Sequence, residues 1–578
     1  MNFPGSTEPN NPYITYDSFP RFKDTWRDSL IENAAASYDE FPDYHVRDPE
    51  RLVSSSTVRS FQLGTGASIY TQSLIPAILE AKYEVILVTC FWAGSPTLSA
   101  LKEALEKLAE ARREHIRTSI SDHDSLSPLR IRICLSSRSL FQKLFHTTSR
   151  DGYIYPPSTW STQLGLPSRE VLESGLIDLR VKSLFFLPFS VMHPKFLIVD
   201  RERAWLPSCN VSWESWLEGC VEIAGDAVAG LVKFYRHVWD GQLEQLTTRD
   251  IPDDGSANPL NLDEMEIPTV PSSVDHFNAF SQGCETPTIL LPSSHHQNPR
   301  FDFLPWRSSP PPPSTPLNQA VLRLLNLAEH FIYMQTPNLT SWAVIDKLLE
   351  ALKRGVNVAI VTSKRLMLLE QLVTAGTTTS TCLRSLIRRY KKLEAQQARS
   401  KATCGPDIEV QQPRLGFLNI DYYCPDAESQ VKCREDGITE EPVQSHLKLT
   451  LVDGQYVVLG SGNMDRASWF TSQELGILFH SKDIASTIGE AVGNVLSGRR
   501  QSVFSSAVDN QLYRRLSQEE TASPTPKDDG GIRNDVEGEA SSSSQTTPGF
   551  SAFIASRTRF ERFLNEPVKP VSPGNRQC

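Results

Sequence analysis

The chain has 578 residues, which is too long for one ordinary core and long enough for two substantial domains with linkers. Its 39% hydrophobic and 22% charged residues are typical of a folded protein, while 39 prolines indicate long irregular stretches between the packed parts. The formal net charge of −10 excludes a molecule that holds nucleic acid or an anionic membrane by its overall charge. Any polyanion must therefore meet a local basic patch.

The sequence carries no recognisable targeting or membrane-spanning segment. The first twenty residues lack both the basic start and the apolar run of a secretory signal, and no apolar run approaches the roughly eighteen residues of a membrane span. The ten cysteines include no C-x-x-C pair and no cluster with zinc spacing. We therefore expect an intracellular protein, cytoplasmic or peripherally attached to a membrane, that holds neither a metal ion nor a cofactor.

Two segments about 250 residues apart repeat the same order of elements, which indicates an internal duplication. In the first, an apolar strand within residues 81–92 precedes an amphipathic helix that begins near Pro96. In the second, a strand within residues 328–339 precedes a helix that Gly355 ends, and another strand follows. Strand, helix and strand of this length predict right-handed parallel crossovers, and hence an α/β domain in each half.

Changes in composition predict where the domains begin and end. The predicted parts are an N-terminal extension over residues 1–59, a first domain over 60–249, a linker over 250–284, a second domain over 285–516 and a mostly disordered tail over 517–578. The linker and a loop over residues 297–316 are rich in proline, which favours extended geometry without a core of its own. The tail is almost without apolar residues, so we expect it to be disordered.

The motif H-x-K-x4-D occurs once in each half. Its residues are His193, Lys195 and Asp200 in the first copy and His446, Lys448 and Asp453 in the second. The agreement continues beyond the motif, because Asn210 and Asn463 each lie seventeen residues after their histidine. Further matched pairs are Ser208 with Ser461, Trp216 with Trp469 and, at nearly equal offsets, Glu222 with Glu474. We interpret the tryptophans as core residues. A chance match of this extent is improbable, so the motif predicts a functional site.

The spacing of the motif has a physical meaning. In an extended strand residues i and i+2 share a face, so the histidine and the lysine of each copy are predicted to point into one cleft. In the second copy Asp453 and Gly454 predict a tight hairpin turn that brings Gly460, Ser461, Gly462 and Asn463 back beside the histidine. Small residues let an anion approach the backbone closely, so these positions and Ser208 predict a phosphate-binding loop.

Two histidines, two lysines and two asparagines are the groups that displacement at a phosphodiester needs when no metal is used. A neutral imidazole attacks phosphorus while a protonated one gives its proton to the leaving oxygen. The lysines and asparagines stabilise charge on the non-bridging oxygens. The second histidine, now neutral, then deprotonates water or an alcohol, which breaks the phosphohistidine. The sequence therefore predicts double displacement with retention at phosphorus.

These paired motifs closely resemble the phospholipase D superfamily, over roughly residues 60–245 and 285–505. The resemblance implies two similar α/β/α domains related by a pseudo-twofold axis and one active site shared between them. Carried over by position, it implies the following roles: His193 and His446 catalytic, Lys195, Lys448, Asn210 and Asn463 phosphate-binding, Asp200 and Asp453 structural, Glu222 and Glu474 orienting a histidine. We assign His193 as the nucleophile and His446 as the acid, although the pseudosymmetry permits the reverse.

The second copy, HLKLTLVDGQYVVLGSGNMDRASWFTSQELGI, resembles the cardiolipin synthase and phosphatidyltransferase branch of that superfamily. The resemblance implies a phospholipid substrate with water or an alcohol as acceptor, and two copies in one chain make a monomer sufficient. The first copy departs from the pattern at Pro207, which replaces the usual glycine and removes a backbone donor. Two alternatives stay open: a nuclease or nucleic-acid-end phosphodiesterase of the same superfamily, and a catalytically silent lipid- or protein-binding scaffold.

An insertion over residues 381–401 is strongly basic and has apolar residues near one side. Its basic residues include Arg384, Arg388, Arg389, Lys391 and Lys392. Two readings are open: a solvated helix face, or a basic amphipathic element that holds an anionic headgroup or a membrane surface beside the cleft.

Overall fold

The structure is a computed structural model. It describes residues 18–34, 48–118, 126–138, 152–186, 190–240, 260, 267–280, 285–293, 311–403 and 414–506. The predicted disordered tail, most of the predicted linker and residues 297–310 of the predicted proline-rich loop lie outside the described residues.

The first half alternates strands and helices. Its strands are β1 (Val53–Gly64), β2 (Glu84–Phe91), β3 (Leu129–Ser137), β4 (Tyr153–Ile154), β5 (Ile177–Ser183), β6 (Phe185–Phe186), β7 (Ser190–Val191), β8 (Phe196–Val199), β9 (Arg203–Pro207) and β10 (Trp216–Ala224). Its helices are α1 (Ser18–Ala34), α2 (Gly66–Ile69), α3 (Ile75–Leu79), α4 (Pro96–Thr118), α5 (Arg169–Ser174) and α6 (Asp226–Trp239). Short 3₁₀ turns lie at Pro49–Leu52 and Pro157–Thr159, and π-helical turns at Tyr70–Leu74 and Trp160–Leu164.

The second half follows the same plan. Its strands are β11 (His276–Ala279), β12 (Glu285–Ser293), β13 (Phe331–Thr336), β14 (Asn357–Thr362), β15 (Leu418–Tyr423), β16 (Gln444–Ser445), β17 (Leu449–Val452), β18 (Tyr456–Gly460), β19 (Glu474–His480) and β20 (Arg500–Ser505). Its helices are α7 (Pro316–Leu327), α8 (Trp342–Lys353), α9 (Leu368–Ala375), α10 (Thr379–Thr403), α11 (Ala427–Asp436), α12 (Arg466–Phe470) and α13 (Lys482–Val495).

One large mixed sheet of 18 strands runs through both halves, as a mixed α/β fold requires. The two halves meet at the antiparallel pair β1 and β12. Outward from that pair, the strand order is β10, β9, β8, β2, β3 and β5 in the first half and β19, β18, β17, β13, β14 and β15 in the second. The outer three strands of each half run parallel, which confirms the predicted parallel crossovers.

The predicted amphipathic helices are confirmed at the predicted places. In α4 the leucine stripe is buried, and the Ser95 hydroxyl accepts a hydrogen bond from the backbone N–H of Leu98, which caps the helix before Pro96. In α8 the apolar stripe is likewise buried. Gly355 ends this helix with a φ of 94°, a conformation that favours glycine. The helices cover strands such as β2 and β13, which have apolar runs and are buried over most or all of their length, as is typical of parallel strands.

The predicted domain boundaries need two corrections. Strand β1 begins at Val53, so it crosses the boundary placed at residue 60, and α1 packs on the second half through a hydrogen bond from Trp26 Nε1 to the carbonyl of Pro316. Strand β11, inside the predicted linker, pairs with β1. The serine-rich start of β1 hid it, because a strand is recognised by apolar alternation that this stretch lacks. The largest hydrophobic core is continuous across the two halves and fixes their relative position.

The aspartates of the two motifs anchor matching turns. Each lies in the left-handed region, with φ values of 51° for Asp200 and 50° for Asp453, and Gly454 completes the predicted tight turn at 64°. Each carboxylate accepts three backbone hydrogen bonds of 2.8 to 2.9 Å. The donors are the N–H groups of Lys82, Tyr83 and Glu84 for Asp200 and of Glu329, His330 and Phe331 for Asp453. Both aspartates thus tie a hairpin to the start of the neighbouring antiparallel strand, β2 in the first half and β13 in the second.

Asp453→Ala is expected to lower the free energy of unfolding by about 2 to 4 kcal/mol, because three N–H groups lose a charged acceptor. Asp346→Ala is the matched control: Asp346 forms an exposed ion pair of 2.7 Å with Arg389, which contributes about 1 kcal/mol at most. Urea unfolding followed by tryptophan fluorescence measures both. Equal losses in the two variants would contradict the structural role of Asp453.

Candidate functional site

Each motif histidine lies in a segment that is bonded to the other half of the chain. The backbone N–H of His193 donates to the carbonyl of Gln473 at 2.9 Å, and Gln473 N–H donates to Val191. The backbone N–H of His446 donates to the carbonyl of Leu217 at 2.8 Å, where β16 pairs in parallel with the start of β10. The sequence predicts that both histidines lie within strands. In the structure neither does: His193 lies in the irregular segment just before β8, and His446 in the one just before β17.

The two histidines form crossed pairs with glutamates. Nδ1 of His193 lies 2.8 Å from Oε2 of Glu474, and Nδ1 of His446 lies 2.8 Å from Oε1 of Glu218. Both glutamates are fully buried. Burial raises the pKa of each carboxyl, but the contacts with the histidine and with a serine hydroxyl, together with the charge of a motif lysine, outweigh it and hold both pKa values below the usual range. Since an ionised carboxylate only accepts, Nδ1 carries a proton in both rings and Nε2 is left to react.

This pairing corrects the prediction for Glu222. Glu222 accepts a hydrogen bond of 3.0 Å from Ser60 and lies 3.8 Å from Arg203, whereas Glu218 takes the position opposite His446. Equal offsets misled the sequence argument, because the second half carries α12 between Asn463 and Glu474. The prediction for Glu474 as a partner of a histidine agrees with the contact to His193.

The matched serines hydrogen-bond to the two glutamates. Ser208 Oγ donates to Oε2 of Glu218, and Ser461 Oγ donates to Oε2 of Glu474. Each hydroxyl in turn accepts from the backbone N–H that follows its glutamate, Gly219 in the first half and Leu475 in the second. Both serines therefore fix the carboxylates that contact the histidines, and their role in a phosphate-binding loop stays a prediction. In each half the matched serine hydrogen-bonds to a glutamate, and this repeated contact identifies Glu218 as the counterpart of Glu474.

The two glycines of the predicted phosphate loop are also explained by packing. Gly460 has a φ of 148° and faces Gly476 across β18 and β19, where a Cβ would lie 2.4 Å from the carbonyl oxygen of Leu475. A Cβ on Gly462 would lie 2.9 Å from a methyl of Leu317. The close backbone of β19 thus requires glycine at position 460, and the Leu317 methyl leaves little room for a side chain at position 462.

The motif lysines are buried beside the histidines. Lys195 Nζ donates to the carbonyl of His193 at 3.0 Å, and Lys448 Nζ donates to the carbonyl of His446 at 2.7 Å. Burial lowers the pKa of Lys448 to about 7, although the charge of Glu218 opposes the shift. Two lysines held in this way place a concentrated positive charge at the site, which an anionic ligand neutralises.

The pKa values of the histidines couple the two motifs electrostatically. Burial lowers the pKa of His446 to about 4, and the charge of Lys195 from the other motif adds to this lowering. Burial also lowers the pKa of His193, and Lys448 acts on it from across the site. Each lysine therefore acts electrostatically on the histidine of the opposite half, and both imidazoles are neutral before a ligand arrives.

The two asparagines are not equivalent. Oδ1 of Asn210 accepts from the backbone N–H of Phe91 at 3.2 Å, which leaves its Nδ2 to donate. Nδ2 of Asn463 instead donates to Asp465 at 3.1 Å, and the Oδ1 atom of Asn463 has no hydrogen-bond partner among the residues described. The first half has Ser212 where the second has Asp465. Asn210 is thus the better placed of the two as a donor to a bound anion.

The two matched tryptophans also differ. Trp469 is buried in α12, as predicted for a core residue. Trp216 instead lies against the ring of His446, with ring centroids 4.9 Å apart and a tilt of 49°. Sequence reasoning missed this contact, because Trp216 lies in the opposite half from the histidine that it covers.

A comparison of the sequence with models of known protein families gives a match that includes part of this site. Residues 321–494 match the family model for the cardiolipin synthase, PLD-like domain. The chain carries a phospholipase D-like domain. The matched range includes the whole second motif, with His446, Lys448 and Asp453, so the resemblance predicted from that stretch is confirmed.

No curated protein matches this chain in sequence. Solved structures that resemble it include the phosphatidylserine synthase of Haemophilus influenzae Rd KW20, with 14% identity, a TM-score of 0.44 and coverage of 81% of this chain and 95% of that one. The polyphosphate kinase of Porphyromonas gingivalis has 10% identity, a TM-score of 0.35 and coverage of 79% and 51%. Nuc, a phospholipase D family member from Salmonella typhimurium, has 18% identity, a TM-score of 0.21 and coverage of 32% and 90%.

The basic insertion forms helix α10. Part of its charge is used within the fold, since Arg389 pairs with Asp346 and Lys391 lies 5.3 Å from the ring of Phe504. Arg384 instead lines a cleft at the surface. None of the helices in the described ranges combines the length and the apolar character needed to cross a bilayer.

Proposed function

We propose that the chain is a metal-independent phosphodiesterase or phosphatidyltransferase that acts on a phospholipid through a phosphohistidine. The observation that carries the proposal is the pair of crossed contacts, His193 with Glu474 and His446 with Glu218, in which each half supplies the carboxylate for the histidine of the other. The repeated strand order supports a pseudo-twofold relation between two domains, one on each side of this shared site. A monomer therefore contains a complete site.

The reaction follows from the two imidazoles. Nε2 of His193 attacks phosphorus, and the bond from phosphorus to the leaving oxygen breaks while His446 gives that oxygen a proton. Water or an alcohol then loses its proton to His446 and attacks the phosphohistidine, which returns His193 to its neutral form. Two inversions leave the configuration at phosphorus retained. Exchange of His193 and His446 in this scheme is chemically equivalent, and His193 as nucleophile stays a prediction.

In this proposal, the buried charges make protonation of His446 depend on binding of the substrate. Lys195, Lys448 and Asn210 are the donors proposed for the non-bridging oxygens. Because the lowered pKa of His446 keeps it neutral before substrate binds, a proton on this ring must be stabilised by Glu218 and by the negative charge of the phosphodiester. The anion thereby creates the general acid that its own cleavage requires.

The preference for a phospholipid rests on the cardiolipin synthase, PLD-like family match of residues 321–494. The deciding assay incubates the full chain in EDTA with labelled phospholipids, with and without a primary alcohol, and in parallel with single-stranded DNA. Formation of phosphatidic acid, and of a phosphatidyl-alcohol when alcohol is present, is expected. Cleavage of DNA alone would replace the lipid substrate by a nucleic acid, and no turnover of either would favour a silent scaffold.

The pH dependence of the reaction should report Lys448. Above pH about 7 the free site loses the Lys448 proton, so kcat/KM is expected to fall by an additional factor of about ten per pH unit. A bound phosphodiester stabilises the ammonium, so the corresponding fall in kcat should begin at a higher pH. In Lys448→Arg the guanidinium stays charged, and the additional fall should be absent. A wild-type profile without added steepness above pH about 7 would contradict a charged Lys448 in catalysis.

A further inference from the structure

Helix α9 exposes an apolar face that the fold does not cover. Leu369, Leu372 and Val373 are 80%, 49% and 55% exposed, and their spacing places them on one side of the helix. Met367 and Leu368, at the start of the helix, are more than a third exposed. Soluble surfaces rarely present such a contiguous group without a binding function.

The opposite face of α9 is firmly attached. Gln371 is 3% exposed, and its Nε2 donates to the carbonyl of Leu366 at 2.6 Å. Its Oε1 accepts from the backbone N–H of Thr379 at 2.7 Å and from the hydroxyl of the same residue. The exposed face is therefore presented on a helix held in place by buried hydrogen bonds.

A basic cleft of about 310 Å³ lies at the base of α10, on the segments that flank α9 in sequence. Its polar lining consists of Lys364, Arg365, Arg384, Ser380 and Tyr422, and its apolar lining of Leu383, Ile387 and Val503. Within the described ranges, none of the three cations has a carboxylate at salt-bridge distance. Three cations with two hydroxyls form a site for a phosphate rather than for a neutral group.

Both features border the catalytic residues. The side chain of Gln444 donates to the carbonyl of Lys364, and Ser363 Oγ donates to the carbonyl of Ser445, which directly precedes His446. Helix α9 itself packs against α12, which follows Asn463. The apolar helix and the basic cleft are thus attached to the segments that carry His446 and Asn463.

We propose that α9 and this cleft dock the protein on an anionic bilayer, with the apolar face of α9 in the interface and a lipid phosphate in the cleft. An apolar helical face next to clustered Lys and Arg is the arrangement by which helices lie in the surface of an anionic membrane. The exposed side chains are aliphatic, whereas protein interfaces depend on aromatic anchors. The inference deepens the proposed function, on which it rests for its purpose, because docking here delivers lipid to the site.

The test measures binding of the full chain to sedimented vesicles of phosphatidylcholine with and without phosphatidylglycerol. The parent is expected to bind the anionic vesicles preferentially. A triple variant, Leu369→Ser with Leu372→Ser and Val373→Ser, should bind them at least about tenfold more weakly. The matched control, Val431→Ser with Ile438→Ser, removes side chains that are 53% and 69% exposed in the same half and should bind like the parent.

A second set of variants tests the cleft. Lys364→Gln, Arg365→Gln and Arg384→Gln together should abolish the preference for phosphatidylglycerol and its sensitivity to salt. An unchanged preference for phosphatidylglycerol in this variant, together with saturable binding of inorganic phosphate by the parent that the variant lacks, would assign the cleft to free phosphate and overturn the proposal. Thermal unfolding confirms that each variant is folded.

Docking is read out without turnover, so it can fail or succeed independently of the proposed function. His446→Asn should bind vesicles like the parent, since that residue lies outside the docking surface. Absence of vesicle binding by the parent would overturn the proposal and leave the apolar face to a protein partner. Full binding by the serine triple variant, or an equal loss in the control, would overturn it as well.

Discussion

His193→Asn and His446→Asn are each expected to lower kcat for phospholipid turnover by about 10⁴-fold or more, because asparagine neither attacks phosphorus nor donates a proton as imidazolium does. The double variant should be no less active than either single variant, since the two rings act as one unit. Turnover of a labelled phospholipid in EDTA measures all three. His115→Asn, on α4 in the first half, is the control and should keep parental activity.

The two single variants also separate a shared site from two independent ones. Two independent sites would leave each variant with about half of the parental rate, a result that would refute the crossed arrangement of His193 with Glu474 and His446 with Glu218. A quench of the parent with alkaline denaturant, in which a phosphohistidine survives, should trap label from phosphorus-labelled lipid on the protein, and His193→Asn should trap none if His193 is the nucleophile. Label lost only in His446→Asn would reverse the two roles.

The sequence was informative where the determinants are local. Hydrophobic periodicity predicts β2, α4, β13 and α8, and the Asp453-Gly454 turn follows from two adjacent residues. The motif predicts the functional histidines and lysines because it occurs in both halves with the same spacing. These features depend on neighbours within a few residues, which is the range over which a pattern can be read.

The features of the site that the sequence does not predict depend on contacts between the two halves of the chain. Glu218 meets His446 across more than two hundred residues, and Trp216 covers the same ring from the same strand. The offset that favoured Glu222 assumed that both copies have equal lengths after their asparagines, but α12 lengthens the second. The sequence does not predict the start of strand β1, because serines occupy most of its first positions. Its place at the centre of the sheet is set by pairing with β10 and β12.

Glu218→Gln is expected to lower kcat by about 10²-fold or more. The charge of Glu218 opposes the burial that lowers the pKa of His446, so its removal lowers that pKa further and makes the protonated ring a scarcer acid. The fall of kcat with rising pH should therefore begin at a lower pH than in the parent. Loss of the carboxylate also frees the ring to turn, because a carboxamide no longer demands a proton on Nδ1. Kinetics over a pH series measure both effects.

Glu222→Gln is the matched control, since Glu222 lies on the same strand four residues further along and contacts Ser60 rather than His446. It should keep kcat within about twofold of the parent and leave the pH profile unmoved. The kcat of Ser208→Ala should lie between those of Glu218→Gln and Glu222→Gln. This variant removes the hydroxyl that holds Glu218 but keeps the charge of Glu218, so kcat should fall about tenfold without a large shift in the pH profile. Equal losses in Glu218→Gln and Glu222→Gln, or a pH profile that shifts with Glu222 instead, would restore the assignment made from sequence offsets.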